Sequence, residues 1–522
     1  MSNSISNAMR FFILLGFCVT ALFTSGQVMF QERLSSTLGM YINDAVQTKD
    51  TGYVFGGRFD AGGWEKFFLF KINRQGALLW NNTYFMSTET AYTNNIQSTP
   101  DNGLIVSGFS DNPCVACSEW FYIRTDSVGN IIWSKFFDTS SGVGSYMKLT
   151  MDNNIIAAGY SYDAVHQESD MSISKLDSSG NILWSRAFKD PGDQGARAVQ
   201  QATDTGYIIL GSGVIAGKEG YHVVKTDSAG FHQWAKTYRT PGKECRLTCG
   251  IQASDGGYIV AGNAADSAVG GYKTHICLIK IDANGNPTWS KTYSGQKDDK
   301  IYQIKPTADS GFILVGGSES FSFDSTYEAL LIKLDSTGNI QWSKTYNGGL
   351  FLYSIGLDVL PAPDGGYMIG AVSDSYIIKT DSLGNSGCFE NAVFPTIQSS
   401  TIISGNSNPN DSNIYPVATT KTISIANEGS LTVLCNNVDI QQPEVYQSQF
   451  IISPNPAQNT FTVTTSTEFS SLIEIYDFLG KKMFSNTNCS EYTVDCSAFF
   501  SGIYFVKVLS EKGSAERKLV VE

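Results

Sequence analysis

Histidine, charge and long apolar runs are all scarce in this chain. Of its 522 residues only four are histidine (His166, His222, His232 and His275), and 16% are charged. No HExxH, GxSxG, P-loop or GxGxxG stretch occurs, so metalloprotease, esterase and nucleotide-binding readings have no motif to rest on. The formal net charge is −13 with no basic stripe. That argues against a nucleic-acid partner, because phosphates are held by rows of Lys and Arg. Beyond residue 26 no run is apolar enough for an integral membrane helix.

What the chain has instead is turn formers and aromatics. Gly (50), Phe (31) and Tyr (25) are abundant, a mixture that favours short strands joined by tight turns. At the start, Arg10 precedes the uncharged run FFILLGFCVTALF (Phe11 to Phe23) and the small residues Thr24 to Gly26. This run is too short to span a bilayer, and it predicts a signal peptide over 1–26. Cys18 is not placed as a lipoprotein signal would need it, so no lipid anchor is expected. In an exported chain disulfides persist. The spacing predicts local bridges Cys114–Cys117, Cys245–Cys249 and Cys489–Cys496. A longer staple Cys388–Cys435 would be worth roughly 3–4 kcal/mol, and Cys277 is left as a buried thiol.

The stretch KLDSTGNIQWSKTY at Lys333 has relatives at Lys280, Lys175 and Arg124. Trp80, Trp133, Trp184, Trp234, Trp289 and Trp342 recur at intervals of 50 to 55 residues. Asp50, Asp101, Asp152, Asp204, Asp255, Asp309 and Asp364 keep the same period, and Gly follows two residues later in all but the third. Each unit reads as four strands, A to D. A lone four-stranded sheet cannot bury both faces, so the units must stack, with the Trp between them. The hairpin register predicts Ile332 and Leu334 on the side of Trp342, with Lys333 opposite. Phe30 lies 50 residues before Trp80, and the seventh unit has Cys388 where Trp is due. The N-terminal strand is therefore expected to complete the last unit and close a ring. The fold class predicted is all-β: a seven-bladed β-propeller over 27–388, with Phe30 as the seventh inter-blade ring. KLDSTGNIQW resembles the turn of the tryptophan-bearing repeats in quinoprotein-like propellers, and the unit length is kelch-sized. Quinone enzymes of that class use adjacent cysteines and central calcium. No adjacent cysteines occur here, so no cofactor is expected. Asp282-Ala-Asn284-Gly-Asn286 resembles part of a calcium loop but lacks the distal Glu, which favours a plain turn and leaves calcium as the weaker alternative.

Residues 389–445 change to Ser, Thr and Asn, and predict a linker or a hairpin turning at Asn427–Gly429. Residues 446–522 read as a small Ig-like β-sandwich. Pro454-Asn455-Pro456-Ala457, Asp477 with Gly480-Lys481, and Gly502-Ile503-Tyr504 closely resemble, in order and spacing, the C-terminal sorting domain of the type IX (Por) secretion system of Gram-negative bacteria. That resemblance implies handling by this secretion machinery, passage across the outer membrane, and a secreted or surface-attached product.

Strands alternate direction, so the A–B and C–D turns share one rim and the B–C and D–A loops the other. The second set is long, varied and aromatic: Trp64, Trp120, Tyr162, Phe321, Phe323 and Tyr327 are the predicted binding residues. Together these features predict a non-catalytic binding or adhesion module for an extracellular glycan or protein, without metal. Two alternatives stand beside it. One is an extracellular hydrolase or lyase of polysaccharide or peptide, with carboxylates near the ring axis. The other is a structural surface-layer component.

Overall fold

The computed structural model of the chain describes residues 28–521, except 36–39, 61–64, 86–89, 112–117, 164–166, 216–217, 267–272, 323–325, 348–353, 373–375, 388, 427–429, 438–449, 466–471, 478–481, 488–490, 498 and 511–512. The expected signal peptide lies outside these. Among the described residues every regular element is a β-strand. The chain divides into two compact units, Met1–Asn437 and Val438–Glu522.

The larger unit repeats one four-stranded antiparallel sheet. In the first repeat Met40–Gln47, Tyr53–Asp60, Glu65–Ile72 and Leu78–Phe85 pair in sequence order. The same meander recurs over 90–138, 146–189, 194–239, 243–294 and 299–346. A closing sheet is built from Ile355–Pro361, Tyr367–Val372 and Tyr376–Thr380, and it takes its fourth strand, Met29–Ser35, from the other end of the chain. Phe30 pairs with Lys379 there, as Trp342 pairs with Lys333 in the sixth repeat. The first strand of each repeat packs against its neighbours', and that of the closing sheet packs against that of the first repeat.

What joins successive sheets is a ring seated beneath a glycine. In each C–D turn an Asp side chain, or Asn73 in the first repeat, accepts two backbone N–H groups, as Asp227 does from Ala229 and Phe231, both at 2.9 Å. The turn then passes through a glycine of positive φ, a conformation that favours a residue without Cβ. The Trp of the preceding repeat lies against that glycine. A Cβ on Gly230 (φ 84°) would sit 2.5 Å from Trp184 Cζ3, and the same neighbour is met at Gly129, Gly180, Gly285, Gly338 and Gly384 by Trp80, Trp133, Trp234, Trp289 and Trp342. At Gly76 the neighbour is Phe30, which fills the missing place. In four repeats a buried Tyr, four residues after the Trp, adds a bond across the same seam. Tyr238 donates to the Gly285 carbonyl at 2.7 Å and Tyr293 to that of Gly338 at 2.7 Å, and Tyr84 and Tyr346 do the same. Phe137 and Phe188 hold this place in the second and third repeats.

Within each sheet, a buried Lys or Arg of strand C is tied to the Asp of the A–B turn. Lys225–Asp204 (2.7 Å), Lys280–Asp255 (2.8 Å) and Lys333–Asp309 (2.7 Å) are examples, and the pair occurs in every repeat and in the closing sheet. Burial works against the charge on Asp309, but Lys333 and Thr307 hold its carboxyl down to about 2.

Three expectations are corrected. Lys333 pairs with Trp342 and Leu334 with Ile340, so a bulge inserts Gln341. Antiparallel partners share a face, and Trp342 therefore packs with Leu331, while Ile332 and Leu334 pack on the other side. Cys245 and Cys249 are free rather than bridged. The ladder shifts between Leu247 and Cys249, which sends Cys245 into the core facing the fourth repeat and Cys249 into that facing the sixth. Cys277 is free and buried as expected, whereas Cys496 is free against the expected bridge to Cys489. Cys114, Cys117, Cys388 and Cys489 lie outside the described residues, as does the side chain of Cys435.

The third correction concerns the stretch read as a linker or hairpin. After the closing sheet the chain runs back around the ring and adds one outer strand to each sheet in turn. Glu390–Ala392 joins the sixth repeat, Thr396–Ser399 the fifth, Ile403–Ser407 the fourth, Asn410–Asn413 the third, Ala418–Thr419 the second and Ser424–Ala426 the first. Ser430–Asn437 finally pairs with Met29–Ser35. The strands on either side of 427–429 thus pair with different sheets, not with each other. This belt covers outer strands that would otherwise present unpaired backbone groups, a hazard for edge-to-edge association. The larger unit accordingly extends to Asn437, beyond the expected limit at 388.

Replacing Gly230 by Ala should destabilise the protein by about 2 kcal/mol or more, since it forces a Cβ onto the indole at positive φ. Gly195→Ala, with nothing within 4 Å, should be near neutral. Urea unfolding of both variants checks this; equal effects would contradict the seat.

Candidate functional site

Strand A begins, and strand B ends, at the rim that carries the longer loops, so residues at those positions stand around the mouth of the ring. Tyr41 and Arg58 pair across the first repeat. Tyr92, Phe109 and Trp120 pair in line across strands A, B and C of the second. The Arg58 guanidinium lies over both Tyr41 (5.6 Å) and Tyr92 (5.4 Å) and also pairs with Glu65 at 3.1 Å. From Tyr92 the row continues ring to ring: Phe109 at 5.3 Å, Trp120 at 5.2 Å, then Tyr160 of the third repeat edge-on at 6.4 Å. Tyr41 is 40% exposed and the other members are half-buried. Tyr162, 49% exposed, stands two residues beyond Tyr160. Cation–π and edge-on ring contacts hold the row in place without covering it.

Inside the mouth, the first strands line an axial channel of about 920 Å³. The carboxylates expected near the axis are there, but they lace neighbouring strands together. Asp44 accepts the N–H of Ile96 from the second repeat (2.5 Å) and the Asn95 amide (2.8 Å). Asp358 accepts the N–H of Ala45 (3.2 Å) and meets Lys305 at 3.3 Å. Burial, and then Asp358, push Asp44 up to about 7 against the pull of Lys148 and Lys305. Burial and Lys305 push Lys148 down to about 8.

Of the six residues expected to bind, the four that are described do not share one surface. Trp120 belongs to the row and Tyr162 stands at its end. Phe321 is half-buried against the core between the fifth and sixth repeats. Tyr327 is buried, donates to Asp298 at 3.2 Å and carries Lys300 over its ring at 4.8 Å. Trp64 and Phe323 lie outside the described residues. Tyr41, Arg58, Tyr92, Phe109 and Tyr160 were missed by sequence reasoning. Tyr41 and Tyr92 both stand nine residues before their landmark Asp, but at strand starts rather than in loops.

Each of the three described histidines meets a different carboxylate. His222 is buried, 3.8 Å from Asp190, and burial pushes it down to about 4. His232 meets Asp411 at 2.8 Å and His275 meets Asp266 at 2.9 Å; His166 lies outside the described residues. Among the described residues no cluster has the make-up of a metal site. Asp282 accepts the N–H groups of Asn284 (2.9 Å) and Asn286 (2.7 Å), the arrangement of the other C–D turns.

In the smaller unit, Phe450–Ser453, Thr460–Thr465 and Glu491–Asp495 form one sheet, and Leu472–Asp477, Lys482–Thr487, Gly502–Ser510 and Gly513–Val521 another, around one apolar core. The motif residues tie its ends together. Asn455 donates to the Lys518 carbonyl (2.8 Å) and accepts from the Val520 N–H (2.9 Å), while buried Ala457 donates to the Val520 carbonyl (2.8 Å). Tyr504 pairs with Asp477 and donates to the Phe500 carbonyl at 2.9 Å. Pro454 and Pro456 precede and divide this clasp, and Gly502 and Ile503 open the strand that carries Tyr504. Gly480 and Lys481 lie outside the described residues.

Residues 451–522 match the family model of the secretion system C-terminal sorting domain. That domain implies type IX export, to the cell surface or the extracellular space. No curated protein matches the chain. Among solved structures, YCF48 bound to D1 peptide is similar at 12% identity and a TM-score of 0.41, over 67% of this chain and 96% of that one. Sqt1 from Chaetomium thermophilum is similar at 10% identity and a TM-score of 0.38, over 66% and 97%. Both are β-propeller proteins.

Asp358→Ala should cost about 3 kcal/mol, because it strands the Lys305 ammonium away from bulk water, and adding Lys305→Met should recover most of it. Denaturant unfolding measures both; a double variant no more stable than the single would contradict the pairing.

Proposed function

We propose that the chain is exported, after loss of a signal peptide over 1–26, as a closed seven-bladed propeller that acts as a non-catalytic binding module for glycan at the cell surface or outside the cell. The count of seven is supported by six complete repeats and a closing sheet that borrows Met29–Ser35. The two small sheets of the C-terminal unit support the reading of an Ig-like sandwich. The observation that carries the binding reading is the half-exposed row Tyr41–Arg58–Tyr92–Phe109–Trp120–Tyr160. Rings fixed by tilted and edge-on neighbours on a rigid scaffold offer apolar surface to the C–H face of a sugar at little entropic cost, and the tyrosine hydroxyls and Arg58 offer polar contacts to its hydroxyls. Attachment of the product to the surface would make it an adhesin.

Asp44 supports a second reading, a polysaccharide hydrolase or lyase. A carboxyl pushed up to about 7 inside a channel has the acidity of a general acid or base. Turnover of a polymer that Asp44→Asn abolishes would establish it.

Tyr92→Ala and Trp120→Ala should each weaken glycan binding by about tenfold, or roughly 1.4 kcal/mol. Glycan-array screening followed by titration calorimetry measures this, with thermal unfolding as a check on folding. Binding to no glycan, or binding indifferent to both substitutions, would overturn the reading; capture of a protein ligand that depends on the same residues would replace glycan by protein.

A further inference from the structure

The axial channel holds chemistry that the aromatic row does not use. In a chain of net charge −13, its described lining carries four cations, Arg58, Lys148, Arg197 and Lys305, and one carboxylate, Asp44. Arg58 and Lys305 are matched by Glu65 (3.1 Å) and Asp358 (3.3 Å). Lys148 and Arg197, from the third and fourth repeats, have no ion pair among the described residues; Arg197 donates to the Tyr146 hydroxyl at 3.0 Å. Asp44 and Asp358 attract the Lys148 ammonium without contacting it: Asp44 gives its Oδ2 to the Ile96 and Asn95 donors, and Asp358 pairs with Lys305.

An ammonium drawn out of bulk water without a direct partner is costly: burial and the neighbouring Lys305 lower the Lys148 pKa, and the pull of Asp44 and Asp358 does not offset them. Gln200 and Gln303 line the same channel. Their amide oxygens accept from the N–H groups of Gln252 (3.1 Å) and Ile304 (3.0 Å), which leaves their NH₂ groups as neutral donors.

We infer that the axial channel binds the oxyanion group of an acidic ligand, with Lys148 and Arg197 as counter-charges and the Gln200 and Gln303 amides as further donors. Charge-assisted hydrogen bonds to a carboxylate or sulfate would complete what the chain leaves open. The site stands independently of the aromatic row.

Titration calorimetry of the full-length protein at low ionic strength tests it with three probes: sodium sulfate, D-glucuronate and D-glucose. At least one anion should bind saturably and D-glucose should not. Lys148→Met and Arg197→Met should each weaken anion binding by about tenfold, while Arg197→Lys, which keeps the charge, should retain most of it. Glucuronate favoured over sulfate identifies an acidic saccharide, and sulfate alone identifies a free oxyanion; both uphold the site. No anion binding, equal binding of D-glucose, or anion binding indifferent to both Met variants overturns it. Tyr92→Ala and Trp120→Ala should leave these titrations unchanged, so failure here is distinct from failure of the glycan reading.

Discussion

The larger unit depends on a flat ring lying under a turn that has no side chain. Each Trp reaches the next sheet only because the C–D turn there passes through a glycine at positive φ, and in four repeats a Tyr then bonds that glycine's carbonyl. The seat is identical in kind at each seam, which sets the same relation between successive sheets and forces the chain into a ring. Closure requires one more ring at the place where the last repeat has none, and Phe30 supplies it against Gly76. Sheets with both faces covered this way bury apolar side chains in a cluster at every seam.

The belt is the second half of the same construction. A ring of sheets still leaves one outer edge per sheet, and strands of two to eight residues from 390 to 437 cover them in reverse order. Its last strand lies on Met29–Ser35, so the segment that closes the ring is itself held between two partners. The sorting domain follows the belt in sequence. A chain exported by its C-terminal domain therefore carries, directly before that domain, the segment that can pair fully only once every sheet exists.

Periodic features were legible in the sequence: the Trp spacing, the Lys–Asp ties and the equivalence of Phe30 all repeat often enough to be read without partners. Parity was not. One bulged residue, Gln341, puts Trp342 on the face of Lys333, and a bulge near Thr248 separates Cys245 from Cys249. The belt was illegible for a different reason. Its strands up to Thr419 are short, polar and mostly exposed, and the last two were read as strands of one hairpin because their true partners lie several hundred residues away. Of the aromatic row, Trp120 was found because it sits beside a variable loop, whereas Tyr41 and Tyr92 sit in strands whose other copies carry unrelated residues at that position. The sorting domain was legible because its landmarks are local in sequence and hold its first and last strands together.

Hydrogen exchange at the amides of Met29–Ser35 and Tyr376–Thr380 tests the closed ring most directly. If the N-terminal strand completes the closing sheet and is clasped by the belt, amides in both segments exchange only through the global unfolding that frees the inner strands, and with the same free energy. Free exchange of the Met29–Ser35 amides while Tyr376–Thr380 stays protected would show an open ring and contradict the account.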